Sequence, residues 1–367
     1  MEVPYNYLPF EYENTTNIFE EWKELIRSTD FTLGYYVAEF EKICAANVGA
    51  KHCISTNNGT DALILCLKSL GIVGGDEVIT VTNTFYATVG AIVAVGATPV
   101  LVDSDERYQI CISSLEAAIN KKTKAILPVH WGGASPDMQS IVDIASGFGI
   151  PVVEDACMGI GGSILGKHPG TFGIVSAFSM HPLKSLNVMG DGGMVITNDD
   201  NLAEWMFKYR NHGMINRDNI EFWGVNMRLQ PLQAVVAKHR LRDLEKTILT
   251  RNTNAKFYDQ ALSELKKFIT LPARPEGYKE TFSLYMGEFS DRDNLKKYLE
   301  EKGVEVKIHY PIPLHKQKAA NTNCITFGRM TKSESQAKSL LTIPVHQYLS
   351  SAQLEYACEQ ISNFYIK

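Results

Sequence analysis

One lysine stands where this sequence could support covalent chemistry. Lys184 lies between two apolar runs, residues 175–178 and 194–197, that we predict to be strands, and a Gly-Asp-Gly-Gly turn at residues 190–193 separates it from the second run. The lysine would therefore be held near the end of a rigid element. Burial lowers the pKa of a lysine and frees its amine to attack a carbonyl carbon, as in Schiff-base formation. A solvated lysine in a surface loop is the alternative, because most lysines are exposed.

A carboxylate ends another apolar run. Asp155 closes the segment Pro-Val-Val-Glu-Asp at residues 151–155, which we predict to be a buried strand. A buried aspartate that faces a pyridine nitrogen keeps this nitrogen protonated, and the protonated ring withdraws electrons from a carbanion. An aspartate that caps a helix or forms a turn is the alternative.

A small polar cluster could bind a phosphate group. Residues 56–63 read Thr-Asn-Asn-Gly-Thr-Asp-Ala-Leu and lead directly into a predicted helix. The backbone N–H groups at a helix N-terminus bind anions, and Gly59 would let a ligand approach closely. Helix capping alone would also explain Asn58 and Thr60.

The elements that must position these residues alternate along the first half of the chain. We predict helices over residues 39–46, 60–70, 84–95, 112–119 and 139–147, and strands over residues 77–81, 99–102, 123–128 and 151–155. Such alternation favours a mostly parallel sheet with helices on both faces. Ligands of these sheets lie outside the carboxyl ends of the strands, where Asp103, His130 and Asp155 are expected. For His130 we favour a packed side chain over a substrate contact.

The pattern changes after about residue 230. Helices are predicted over residues 233–247, from 250 onward, over 293–302 and over 351–365, with strand-like runs at 282–289 and 304–310. We therefore predict a large cofactor-binding domain, residues 1–248, and a smaller α+β domain, residues 249–367.

The composition excludes several classes of protein. The chain has 367 residues, of which 45% are hydrophobic and 21% charged, and its net charge is -5. Disordered chains contain fewer apolar residues, and proteins that neutralise nucleic-acid phosphates carry a basic excess. We therefore expect a folded protein without a nucleic-acid partner.

Cysteine usage and the apolar stretches predict a cytoplasmic protein. The seven cysteines are irregularly spaced and include no C-x-x-C pair, as expected of reduced thiols. No Cys/His set has zinc spacing, so no metal is expected. The N-terminus lacks the features of a signal peptide. Polar residues, Gly96 and Pro99 interrupt the uncharged stretch 78–102, which favours a buried strand–helix–strand unit over a membrane span.

Taken together and in this order, the segments resemble the motifs of one family, the DegT/DnrJ/EryC1/StrS sugar aminotransferases. The resemblance covers nearly the whole chain. The matching segments are Gly-Thr-Asp-Ala-Leu at 59–63, Gly-Asp-Glu-Val-Ile at 75–79, Asn-Thr-Phe-Tyr-Ala-Thr at 83–88, Glu-Asp-Ala at 154–156, Gly-Thr-Phe-Gly at 170–173, Ser179 with Lys184 and the turn 190–193, Arg-Asn-His-Gly at 210–213, Gly-Val-Asn-Met-Arg at 224–228, and His309-Tyr310-Pro311 with His315.

This resemblance implies an α/β protein of the pyridoxal-phosphate-dependent transferase fold, type I. The large domain would hold a mostly parallel sheet of the seven-stranded type flanked by helices, and the smaller C-terminal domain would be α+β. The family works as homodimers with shared active sites.

The resemblance also implies a role for each matching residue. Lys184 would form an internal aldimine with pyridoxal 5'-phosphate and later move a proton, and Asp155 would pair with the pyridine nitrogen. The remaining expected contacts are Phe85 stacked on the ring, Gly59, Thr60 and Ser179 on the phosphate, Asn226 on the phosphate in the neighbouring subunit, and His309, Tyr310 and His315 on the substrate.

One position departs from the family pattern. Met158 stands where the family usually carries Gln or His, which bonds the phenolic oxygen of the cofactor. A thioether cannot donate a hydrogen bond. Another group would have to take this role, or the local geometry would have to differ.

The implied activity is amino transfer from an amino acid, with L-glutamate the expected donor, to a keto sugar. The product would enter amino-sugar, surface-polysaccharide or lipopolysaccharide biosynthesis. The acceptor is either a nucleotide-linked keto-hexose or an unactivated keto-sugar acid, such as an oxidised 3-deoxy-octulosonate that gives an 8-amino product. A related sugar dehydratase or deoxygenase is an alternative, although those enzymes commonly replace the lysine with histidine and this chain keeps Lys184. A non-enzymatic regulator with the same fold is the other alternative.

Overall fold

A computed structural model of the chain describes residues 1–366. Its helices follow the predicted alternation, with shifts of a few residues at their ends. They are α1 (Leu8–Glu11), α2 (Thr16–Ser28), α3 (Gly34–Val48), α4 (Gly59–Ser69), α5 (Tyr86–Ala94), α6 (Ile112–Ala118), α7 (Met138–Phe148), α8 (Asp200–Tyr209), α9 (Pro231–Ala261), α10 (Arg292–Glu301), α11 (Ala320–Asn323), α12 (Thr331–Ser339) and α13 (Ser351–Tyr365).

The strands are short, as is usual for strands in globular domains. They are β1 (His52–Thr56), β2 (Glu77–Val81), β3 (Thr98–Val102), β4 (Thr123–Leu127), β5 (Val153–Asp155), β6 (Ser163–Ile164), β7 (Val175–Ser179), β8 (Gly193–Thr197), β9 (Met214–Asn216), β10 (Asn219–Ile220), β11 (Ile269–Thr270), β12 (Tyr278–Lys279), β13 (Tyr285–Phe289), β14 (Ile325–Thr326) and β15 (Leu340–Ile343).

The main sheet consists of two halves. One half has the order β14-β3-β2-β4, and the other has the order β1-β8-β7-β5. Two parallel bridges, Ile126 to Val152 and Val129 to Asp155, connect β4 with the β5 segment and thus join the halves. Only β8 runs antiparallel to its neighbours. The predicted α/β fold with a mostly parallel sheet is confirmed.

Helices cover both faces because side chains of successive strand residues point to opposite sides. On β8, Met194 and Ile196 pack into a cluster with α2, α3 and α9, whereas Val195 packs into a cluster with α4, α5 and α8. The burial of all five β8 residues follows from this double cover. The strand ends are left as the open edge where a ligand can enter.

Helix α9 differs from the prediction of two helices at residues 233–247 and from 250 onward. It is continuous over 31 residues. Pro231 lies in the first turn, where proline is tolerated, and the rest of the helix contains neither glycine nor proline. Ile248 belongs to the cluster around α3, and Ala255 belongs to the C-terminal cluster. The predicted domain boundary at residue 248 thus falls inside a helix, and the division into 1–248 and 249–367 stays a proposal.

The C-terminal part contains a small antiparallel sheet, β11-β13-β15. Its β13 is shorter than the predicted run 282–289. The predicted strand over residues 304–310 is wrong, because the segment forms only isolated bridges from Val304 to Val3 and from Lys307 to Thr342. Val3 packs in the C-terminal cluster, so the first residues of the chain lie against this part.

The structure also bears on the uncharged stretch 78–102. It forms β2, α5 and β3, as predicted. Within residues 1–366, no helix combines the length and the apolar character that a membrane span requires.

Candidate active site

A cavity of about 690 Å³ opens at the carboxyl ends of the sheet strands. Most of the residues that the sequence singled out line its wall, although they come from distant parts of the chain. Those brought together are Gly59, Thr60, Phe85, Asp155, Ser179, Lys184, His309 and Tyr310. Strand ends from β5 and β7 and the N-terminus of α4 therefore converge on one space.

The N-terminus of α4 forms one end of the cavity. Asn58 caps the helix, and its Oδ1 accepts the backbone N–H of Asp61 at 2.8 Å. The first N–H groups of any helix have no partner inside the helix, which leaves those of Gly59 and Thr60 to bind an anion. Ser179, at the end of β7, adds a hydroxyl at the same end. These groups fit a phosphate.

Gly59 is needed because α4 and β7 approach each other closely there. A Cβ at residue 59 would lie 2.7 Å from Cβ of Ser179. Gly59→Ala is expected to weaken the binding of pyridoxal 5'-phosphate about ten- to a hundredfold, since overpacking must displace the phosphate groups of the site. Gly90→Ala is the control, because a Cβ on this α5 glycine meets nothing within 4 Å. Equilibrium dialysis measures both, and equal affinity for the two variants would contradict the role of Gly59.

Lys184 is half-buried and lines the cavity. Its backbone carbonyl accepts hydrogen bonds from the Tyr7 hydroxyl at 3.2 Å and from Asn187 Nδ2 at 3.0 Å. Burial lowers the pKa of the Lys184 amine, against the opposing effects of Cys157 and Asp155. A larger fraction of the amine is therefore unprotonated and nucleophilic than for a solvated lysine.

The Asp155 carboxylate is held by two donors at the end of β5. Thr88 Oγ1 donates to Oδ2 at 2.7 Å, and the backbone N–H of Cys157 donates to Oδ1 at 3.2 Å. Thr88 is fully buried and also contacts the Thr84 hydroxyl at 3.0 Å. Thr88 therefore positions the Asp155 carboxylate. It belongs to the motif at residues 83–88, but no role was predicted for it from the sequence.

Aromatic rings form the wall beside these groups. The ring of Phe85 lies 3.9 Å from that of Tyr86 and 6.3 Å from that of Tyr310, measured between centroids. Phe85 is 36% exposed although it is a large apolar side chain. An open aromatic face in a cavity suits a flat heteroaromatic ring.

His309 and Tyr310 reach the cavity from the C-terminal part. His309 Nδ1 lies 3.0 Å from Thr342 Oγ1, and its ring stacks on that of Tyr5. Burial, with the nearby charge of Lys184, lowers the pKa of His309 to about 4, and burial raises that of Tyr310 to about 12. Both side chains are thus neutral at pH 7 and can donate or accept hydrogen bonds.

Two predicted site residues lie away from this cavity. His315 lines a separate surface depression, where its Nδ1 lies 2.8 Å from Thr82 Oγ1 and its Nε2 lies 3.0 Å from Glu334. Asn226 is exposed, and its Oδ1 accepts from Arg228 Nε at 3.0 Å. Their predicted roles in substrate and phosphate binding therefore stay predictions.

Two other predicted features are resolved by contacts. His130 is completely buried between Ser135 Oγ and Glu154 Oε2, each at 2.9 Å, so the preference for a packed histidine is confirmed. Met158 lines the cavity, and its carbonyl accepts from the Ser283 hydroxyl at 3.1 Å. Ser283 also lines the cavity, so its hydroxyl lies close to residue 158, the position where the family usually carries Gln or His.

A lysine, an aspartate and a helix N-terminus around one cavity at the strand ends fit the needs of a pyridoxal-phosphate-dependent enzyme. The model of the DegT/DnrJ/EryC1/StrS aminotransferase family matches residues 13–362. The chain therefore belongs to this family and is a pyridoxal 5'-phosphate-dependent aminotransferase.

Known relatives support this assignment across the whole chain. A "pleiotropic regulatory protein" of Geobacillus stearothermophilus is 37% identical over 368 residues, which cover 100% of this chain and 99% of the relative. The UDP-2-acetamido-2-deoxy-3-oxo-D-glucuronate aminotransferase of Pseudomonas aeruginosa is 37% identical and covers 93% of this chain and 94% of the relative.

A solved structure agrees in fold. The S. venezuelae protein DesV, crystallised in complex with a ketimine intermediate, superposes with a TM-score of 0.95 at 33% identity. The match covers 99% of this chain and 98% of that chain. The predicted transferase fold of type I is confirmed by this likeness.

Proposed function

We propose that this aminotransferase transfers the amino group of L-glutamate to a keto sugar. The observation that carries the proposal is the make-up of the cavity, which is lined by Lys184 and Asp155 and also by two neutral hydrogen-bonding side chains of the C-terminal part, His309 and Tyr310. Hydroxyl and imidazole groups suit a polyhydroxylated acceptor, because each of them can donate and accept hydrogen bonds.

Pyridoxal 5'-phosphate, when bound, supplies a carbonyl carbon that reacts with amines and a ring that withdraws electrons. Gly59, Thr60 and Ser179 would hold its phosphate, and Phe85 would cover its ring. Asp155 would hold the proton on the ring nitrogen.

Lys184 would attach the cofactor and then act as a base and an acid. With a substrate amine in its place on the cofactor, the released Lys184 Nζ would take a proton from the substrate carbon and return it on the other side of the transferred nitrogen. Anchoring of the lysine backbone by Tyr7 and Asn187 keeps this amine within reach.

For the acceptor we propose a nucleotide-linked keto-hexose. The support is the Pseudomonas aeruginosa relative, whose name gives a UDP-linked 3-oxo sugar as its substrate. An unactivated keto-sugar acid, such as an oxidised 3-deoxy-octulosonate, is the second candidate. The product would serve amino-sugar or lipopolysaccharide synthesis in the cytoplasm, with no nucleic-acid, membrane or metal partner.

Two other functions make different predictions. A sugar dehydratase would release water from the sugar, and a regulator would not consume glutamate. The Geobacillus stearothermophilus relative is named as a regulatory protein, so the second alternative must be tested directly. The retained Lys184 favours amino transfer.

The test is the visible absorbance of the cofactor-loaded protein. Addition of L-glutamate should bleach the absorbance, and addition of the correct keto sugar should restore it. A screen of keto sugars against the glutamate-treated protein then identifies the acceptor. A spectrum that glutamate leaves unchanged would contradict the proposal.

His309→Ala and Tyr310→Phe should impair the sugar half-reaction selectively. Loss of one hydrogen bond to the sugar should lower specificity roughly ten- to a hundredfold, while the absorbance change with glutamate stays largely intact. Stopped-flow absorbance resolves the two half-reactions. If both fell equally, these residues would belong to the cofactor shell, and equally fast amination of a simple 2-oxo acid would remove the sugar assignment.

We further propose that the active unit is a homodimer in which Asn226 completes the partner's site. The support is the exposure of Asn226 away from its own cavity, together with the exposed neighbours Trp223 and Val225.

Hybrids test this arrangement. Mixing Lys184→Ala subunits with Asn226→Ala subunits should give dimers with one unimpaired site, whose activity exceeds that of either parent. Sedimentation velocity checks the assembly, and fully active monomers would contradict the idea.

A further inference from the structure

A buried arginine on the cavity wall lacks a counter-ion. Arg251, on α9, is 1% exposed and lines the same cavity as Lys184. Its Nε donates to Gln347 Oε1 at 2.9 Å and its Nη1 to Ser185 Oγ at 3.2 Å, but its buried Nη2 forms no hydrogen bond. No carboxylate within residues 1–366 forms an ion pair with it.

The nearest carboxylate along its hydrogen bonds is already neutralised. Gln347 links Arg251 to Glu11, whose Oε2 accepts from Gln347 Nε2 at 2.7 Å. Glu11 is paired directly with Arg240 and also accepts from Asn187 Nδ2 at 3.0 Å. Arg240 also lies 3.5 Å from the largely exposed Asp243, but Glu11 reaches Arg251 only through Gln347, so no carboxylate contacts the Arg251 guanidinium directly.

The other groups around Arg251 are neutral. Burial, joined by the charge of Arg251, lowers the pKa of His346 to about 4, and burial raises the pKa values of Tyr5 and Tyr7. An unpaired charge in such surroundings costs free energy unless a ligand compensates it. A guanidinium with a free donor is suited to a carboxylate.

The position of Arg251 ties this charge to the reacting lysine. Ser185, which accepts from its Nη1, directly follows Lys184. The guanidinium carbon lies 5.2 Å from the centroid of the Tyr7 ring, and the hydroxyl of the same tyrosine donates to the Lys184 carbonyl. An anion held at Arg251 would therefore lie beside Lys184.

We propose that Arg251 is a substrate-carboxylate site, and that the carboxylate belongs to the amino-acid donor. This assignment rests on the proposed glutamate-dependent function, since the donor must present its amine at Lys184. A keto-sugar acid would offer the same chemistry from the other substrate.

Glutarate, a dicarboxylate without an amine, probes the site without reacting. Its dissociation constant for the cofactor-loaded protein is measured by isothermal titration calorimetry for wild type, Arg251→Met and Arg251→Lys. We expect about ten- to a hundredfold weaker binding to the Met variant and a smaller loss for Lys, which keeps the charge but not the planar fork.

Arg292→Met is the matched control. Arg292 is also buried, but it pairs with Asp293 and donates to the carbonyls of Ala337 and Leu340, away from the cavity. This variant should lower the unfolding temperature and leave glutarate binding unchanged. Glutarate should raise the unfolding temperature of wild type and of Arg292→Met but not that of Arg251→Met.

The half-reactions identify the source of the carboxylate. Selective loss of the glutamate half-reaction in Arg251→Met supports the donor, whereas selective loss with a keto-sugar acid would overturn the donor assignment. Unchanged glutarate affinity in Arg251→Met, or no glutarate binding to wild type, would overturn the site itself. If glutarate binding depended on Arg251 but wild type did not react with glutamate, the carboxylate site would stand and the proposed donor would fail.

Discussion

Lys184→Ala should lower amino transfer by at least a hundredfold while the protein remains folded. The expected loss follows from the removal of the positioned proton carrier, a contribution of roughly 10²–10⁴-fold in enzymes. Lys184 has the properties this role requires, because burial lowers its pKa and its carbonyl is anchored by Tyr7 and Asn187. Single-turnover rates with glutamate measure the effect.

Lys167→Ala is the control for this variant. Lys167 is exposed and lies over the ring of Phe172, outside the lining of the cavity. Its removal should leave the rate unchanged. After borohydride reduction, peptide mass analysis should locate the cofactor on residue 184 in wild type and in Lys167→Ala, and on no residue in Lys184→Ala. Turnover of Lys184→Ala above about a hundredth of the wild-type rate would count against the proton-transfer role.

Asp155→Asn should slow the chemical step far more than it weakens cofactor binding. An amide cannot hold the ring nitrogen protonated, so the electron-withdrawing effect falls, and we expect a rate loss of roughly a hundredfold or more. The Cys157 N–H can still donate to the amide oxygen, and the Thr88 hydroxyl can accept from the amide nitrogen, so the substituted side chain keeps its two partners. Single-turnover rates and cofactor affinity are measured on the same preparation.

Asp137→Asn provides the comparison for Asp155→Asn. Asp137 caps α7, where its carboxylate accepts from the Ser140 N–H, and asparagine caps a helix equally well. This variant should retain both stability and activity. A rate for Asp155→Asn as high as that of Asp137→Asn would mean that Asp155 serves only the fold.

The sequence predicted the sheet well because its strands are covered on both faces. The run Glu77–Val81 is apolar and forms a strand with these bounds. Residues 304–308 also alternate, with Val304 and Val306 buried, yet they form only isolated bridges. Alternation reports which side chains are buried, whereas a ladder also requires a neighbouring strand with free backbone groups.

The candidate site was predictable where its residues lie in contiguous motifs. The resemblance to the family motifs identified Lys184 and Asp155, whereas their positions near strand ends alone left a loop lysine and a capping aspartate as alternatives. Tyr7 could not, because it reaches the Lys184 carbonyl across 177 residues. Arg251 could not be predicted either, because its helix contains many lysines and arginines. Only the packed structure distinguishes this buried arginine, with its unpartnered Nη2, from the solvated basic side chains of the helix.

Transfer of nitrogen from glutamate to a keto sugar can be followed directly with an isotope label. L-glutamate labelled in its amino nitrogen is incubated with the cofactor-loaded protein and nucleotide-linked keto-hexoses, and the sugar products are analysed by mass spectrometry. We expect one labelled nitrogen in the sugar, formed in equal amount to 2-oxoglutarate, and no labelled sugar with Lys184→Ala. A sugar that loses oxygen without gaining the label, or glutamate that is not consumed with any keto sugar, would contradict it.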